Sequence, residues 1–186
     1  AVVEELELER VVLLGHSMGA LAIVKMAEQF AGQYDGALAM CGPLGGALDE
    51  VAYAADARVT FDYNFPGVLP GSTFSVPAGT VFLPPGVPGG PSPLFGQVVA
   101  AVTANPAKTL QWATAAKLPF VNAAELGNSA VYMVGFLMNY TNDLVERVNG
   151  KVPYDNRLTQ YQVNATADPA VNAALSAQLN AGVTRY

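Results

Sequence analysis

Gly15-His16-Ser17-Met18-Gly19 places a serine between two glycines, directly after the branched apolar run Val11-Val12-Leu13-Leu14. A strand that ends in this pentapeptide and reopens as a helix lifts the serine oxygen clear of the sheet. The chemistry such a placement serves is nucleophilic attack on an ester or amide carbonyl. In so tight a turn, Cβ atoms two residues before and after the serine are expected to meet neighbouring backbone, which accounts for Gly15 and Gly19. The amide of Met18 opens the helix and points its N–H toward the oxygen that becomes negative as the carbonyl is attacked. Met18 is therefore expected to act through its backbone and not through its thioether.

A serine hydroxyl needs a base to take its proton, and histidine is the usual one. His16 is the only histidine in the chain, and no other follows Ser17. Being adjacent to Ser17 at a strand end, its side chain is expected to leave on a different side, packing or hydrogen bonding beneath the turn. Asp49, Asp56, Asp62, Asp143, Asp155 and Asp168 all lie downstream of Ser17. None follows a convincing later core strand, and Asp168 already reads as a helix cap. Lys25, Lys108, Lys117 and Lys151 stand in no motif that would make one of them a base. The catalytic histidine and acid are unassigned by the sequence.

The elements that must hold the motif are legible around it. Four branched apolar residues at 11–14 predict a strand buried on both faces of a parallel sheet. Leu21, Val24, Ala27 and Phe30 recur at helical intervals opposite Lys25, Glu28 and Gln29, and Gly32 is a natural stop. Residues 36–41 predict a second strand, and residues 1–10 a short acidic helix. Beyond a helix expected over 47–57, residues 64–93 are rich in proline and glycine, which break both helices and strands. Their aromatics favour an ordered wrapping segment over a flexible linker. Helical patterning returns before Pro106, between Pro106 and Pro119, along a stripe of Val131, Val134, Met138, Thr141, Val145 and Val148, and after the Asp168-Pro169 start signal.

The run Val11–Ile23 with Gly-His-Ser-Met-Gly at its centre resembles the nucleophile elbow of the α/β-hydrolase superfamily, most specifically over about residues 8–45. The resemblance implies Ser17 as nucleophile, the Met18 amide as an oxyanion donor, and Gly15 and Gly19 as the glycines that give steric room. It also implies an α/β fold made of a partial α/β-hydrolase core (elbow strand, helix, next strand) with a mainly helical cap-like region. The corresponding organisation is core at 1–48, helix and Pro/Gly-rich segment at 49–93, and helical cap-like region at 94–186. The family's order of nucleophile, acid and histidine is broken here by the missing histidine. The expectation is a central piece of a longer hydrolase, needing the rest of its core and inactive or nearly so alone.

Composition narrows the alternatives. A net charge of −6 with nine scattered lysines and arginines excludes a phosphate-binding surface, hence nucleic acid. With a single cysteine and a single histidine, a metal site would lack its usual ligands, and no cofactor is expected. No stretch of about 18–20 apolar residues predicts a membrane span. The substrate class is a small molecule or peptide of apolar character. Tyr63, Phe65, Phe74, Phe82, Phe95, Trp112, Phe120, Tyr132 and Phe136 are read as core for the most part and otherwise as lining for an apolar pocket. Two other readings stand beside the hydrolase. One is a carrier-protein transacylase, although Ala20-Leu21 follow the motif where those enzymes generally carry an acidic residue. The other is a non-catalytic α/β module that keeps the elbow as scaffold.

Overall fold

Branched side chains favour extended backbone, and Val12–His16 forms strand β1 in the computed structural model, which describes residues 8–186. Helix α1, Met18–Gln29, crosses over to β2, Gly36–Met40, which lies parallel to β1 with Val12 opposite Gly36 and His16 opposite Met40. Both ends of this short ladder are fastened. Val11 N–H donates to the Asp35 carboxylate at 2.7 Å while Asp35 N–H donates to Val11 O at 2.8 Å. At the far end Ser17 N–H donates to Met40 O at 2.9 Å, carrying the pairing one residue past the strand. The short helix expected at the N-terminus lies mainly outside the described residues.

The chain divides into two compact units, one through Glu50 and one from Val51. In the first, α1 packs on the two-stranded sheet and buries Ala20 and Ile23. That contact face sits one residue ahead of the expected stripe, and Leu21 and Phe30 are exposed. The expectation of a strand buried on both faces is also corrected. Val12 and Leu14 are 63% and 66% exposed and Leu38 of β2 is 52% exposed, because a helix covers only the other face.

The second unit is helical. It holds α2 from Val51 onward (the whole helix is Ala47–Asn64), α3 at Pro93–Ala104, α4 at Pro106–Ala115, α5 at Ala123–Arg147 and α6 at Pro169–Gly182. α2 runs seven residues past its expected end. Its segment Val59-Thr60-Phe61 is β-branched and aromatic, a poor helix former in isolation, and tertiary burial overrides that preference. Trp112 sits at the centre, its ring edge-on to Phe61 at 4.8 Å and its indole N–H donating to Ala57 O at 2.9 Å. Phe65, Leu69, Val76 and Phe82 bring the Pro/Gly-rich segment into the same core, so this stretch packs without regular structure. Residues 151–166 are likewise irregular and are held by side chains. The Asp56 carboxylate accepts from Tyr154 and Tyr161 hydroxyls at 2.7 and 2.6 Å, and Arg185 donates to Asn156 O and Thr159 O. No helix of the described residues is long and apolar enough to cross a membrane.

Candidate active site

β1 delivers Ser17 to the sheet's end, and α1 starts immediately after it. Ser17 has φ 54° and ψ −122°, a left-handed backbone that an L-residue adopts only when its surroundings impose it. The imposition is visible on both sides of the residue. Its N–H is held by Met40 O and its C=O accepts from Ala20 N–H at 2.9 Å. A serine at this position ordinarily turns its hydroxyl onto the first helical amides as an N-cap. Ser17 makes no such side-chain bond and is exposed. The hydroxyl therefore faces water from a strained residue without performing the structural task its position offers.

The glycines divide in their roles. A Cβ on Gly15 would lie 2.3 Å from Gly19 O and 2.9 Å from Ala20 N, so only glycine fits where β1 meets the first turn of α1. A Cβ on Gly19 would meet nothing within 4 Å among the described residues, which corrects the expectation that both glycines relieve a collision. The second tight position is Gly42, just beyond β2, where a Cβ would come within 2.4 Å of Ala20 Cβ and 3.1 Å of Ser17 O. Sequence reasoning misses Gly42. Its only signal is a glycine two residues past the second strand, and that resembles ordinary turn chemistry.

Met18 is 77% exposed, and its amide is the first of α1, a position that has no acceptor inside a helix. Together with the positive end of the helix dipole, this N–H can stabilise an anionic oxygen beside Ser17. His16 ends β1 opposite Met40 and is exposed. Within the first unit the carboxylate of Asp35 is committed to Val11 at the opposite end of β1, and Lys25 pairs with Glu28 at 3.9 Å on the exposed side of α1.

Five of the other six aspartates are engaged by partners. Asp49 is exposed in the first turn of α2. Asp56 holds the two tyrosines. Asp62 accepts from the buried Arg58 at 2.8 Å, and burial pushes its carboxyl up against the opposing pull of that guanidinium. Asp143 and Asp155 pair with Arg147 and Arg157, and hydrogen bonding to those arginines lowers both carboxyls, Asp155 to about 2. Asp168 caps α6 by accepting from Ala170 N–H at 2.8 Å, as its sequence context predicts. Among the aromatics, Phe65, Phe82 and Trp112 are core, whereas Tyr132 and Phe136 remain exposed on α5.

The site thus comprises a strained, exposed hydroxyl, one helix-leading amide with no acceptor inside its helix, and two glycines that allow close backbone approach. No protein-family model, curated protein or solved structure matches the chain.

Proposed function

We propose that this chain carries the nucleophile of a serine hydrolase of the α/β-hydrolase type. The observation that carries the reading is Ser17 itself, held at positive φ with its hydroxyl unused as a cap. The Ser17 oxygen attacks an ester or amide carbonyl, its proton passes to a base, and the Met18 N–H takes up the charge on the carbonyl oxygen. Collapse expels the alcohol or amine with a proton, and water then cleaves the acyl-Ser17 ester and regenerates the hydroxyl. Because His16 is the sole histidine of the chain, the base and its acid are proposed to come from polypeptide other than residues 1–186. Loss of triad members costs on the order of 10⁶ in turnover in a well-studied serine protease, so the 186-residue chain alone is expected to be almost inert.

The test is to expose the full-length gene product to a fluorophosphonate probe and map the adduct by mass spectrometry. The expected result is a single adduct on Ser17 that disappears in Ser17→Ala. An unmodified Ser17, under conditions that label a control serine hydrolase, overturns the reading. Robust Ser17-dependent ester turnover by residues 1–186 alone overturns the requirement for an external base.

A further inference from the structure

An open groove of about 1040 Å³ runs between α3 and α5 in the second unit, with Phe82 and Pro84 also on its lining. Its walls follow helical spacing. α3 contributes Phe95, Val99 and Thr103, and α5 contributes Asn128, Tyr132 and Phe136, each set four residues apart. At a rise of roughly 1.5 Å per residue, the lining extends about 12 Å along α3 and about 24 Å along α5. The groove is therefore a track and not a round cup.

Its chemistry is apolar and aromatic. Phe82 and Phe95 rings lie 5.4 Å apart, and Phe136 stacks on Tyr140 at 4.8 Å. Tyr132 is 82% exposed and Phe136 38% exposed, so large rings stand open to water along the track. The one ionisable carboxylate on the lining, Asp143, is neutralised by Arg147 at 2.6 Å. The remaining polar side chains are neutral: the amides of Asn128 and Asn139 and the hydroxyls of Thr103, Tyr132 and Tyr140. A concave apolar site with a few neutral hydrogen-bonding groups selects a ligand of matching character.

We propose that this groove binds one uncharged, elongated apolar molecule, a long-chain acyl ester, with its neutral polar head hydrogen-bonded to an amide or hydroxyl group of the lining. Among the described residues the lining offers no cation to hold a carboxylate head, and the chain as a whole is acidic. The site lies entirely within the second unit, so the inference does not rest on Ser17, and its test uses the Ser17→Ala chain to keep the two separate.

Gly127 provides the decisive variant. It lines the groove, and a Cβ built on it meets nothing within 4 Å, so a larger side chain there enters open space. Replacing a helix-interior glycine also favours the helix. The experiment measures displacement of bound Nile red by monopalmitoylglycerol and by palmitate, each below its micellar concentration. The expected result is saturable one-to-one displacement by the neutral ester, with palmitate at least tenfold weaker. Gly127→Trp is expected to lose at least tenfold in affinity with an unchanged or higher melting temperature. Should that variant fail to fold, Tyr132→Ser, at a side chain outside the core, is expected to weaken binding by a similar factor. Equal binding of ester and palmitate, non-saturable dye uptake, or unchanged affinity in the variants overturns the proposal.

Discussion

Ser17 combines an unfavourable backbone with an unoccupied hydroxyl, and the two facts have opposite energetic consequences. A non-glycine residue in such a region costs about 1–3 kcal/mol, which the rest of the fold must offset. Glycine would relieve that strain, although its freer unfolded chain returns part of the gain. Ser17→Gly is therefore expected to stabilise the first unit by about 1 kcal/mol, read as slower hydrogen exchange of the β1 and β2 amides. A structurally required serine gives the reverse, since removing a working cap destabilises by about 0.5–2 kcal/mol. Strain of this kind is legible in the sequence only through its neighbours. Gly15 marks the close approach correctly, whereas Gly19 fits the same pattern without the same need, because α1 leaves its Cβ direction open. Gly42 carries no such mark, because its crowding arises from Ala20 and Ser17, which only the folded crossover brings near.

At the scale of elements, starts and stops are the most readable features. Pro93, Pro106 and Pro169 each stand at the beginning of a helix, with Ser92 and Asp168 accepting from the first turn. Caps are local chemistry, so sequence carries them directly. The C-terminal half of α2 is not readable in this way, because its residues form a helix only when surrounded by Trp112, Phe65 and the segment at 151–166. That segment is tied to α2 by the Asp56 clasp, and burial together with hydrogen bonding raises both tyrosine hydroxyls, Tyr161 to about 12 from an ordinary value near 10. A raised value in the folded state means that the native protein holds its proton where the unfolded chain has lost it. The share of stabilisation that comes from Tyr161 is complete below pH about 10 and disappears as pH rises through about 12. The second unit is thus expected to lose stability across that window, followed by Trp112 fluorescence in urea titrations. Tyr161→Phe should flatten the alkaline slope while lowering stability at neutral pH, since it removes a hydrogen bond to Asp56. A slope unchanged by the substitution would assign the alkaline loss to other groups.

For the molecule as a whole, the two units differ in how completely they bury what they present. The helical unit encloses Trp112, Phe61, Val98 and Val134 entirely. The α/β unit carries two parallel strands with one face covered, and a two-stranded sheet is marginal in water. The apolar run at 11–14 predicts a doubly buried strand because parallel strands of this composition normally have both faces covered. Half of that expectation describes the present chain, and the uncovered half agrees with the proposal that further polypeptide completes the core. The two circumstances are separable by one substitution. Leu14 is 66% exposed on the open sheet face, so Leu14→Lys in the 186-residue chain is expected to change stability by less than about 0.5 kcal/mol and to reduce self-association in sedimentation. In the full-length gene product the same lysine would be buried against added core without a partner. It should there cost several kcal/mol, as an uncompensated buried charge does, and abolish probe labelling of Ser17. Equal tolerance in both contexts would mean that the face stays open to water, and the completed-core reading would fall with it.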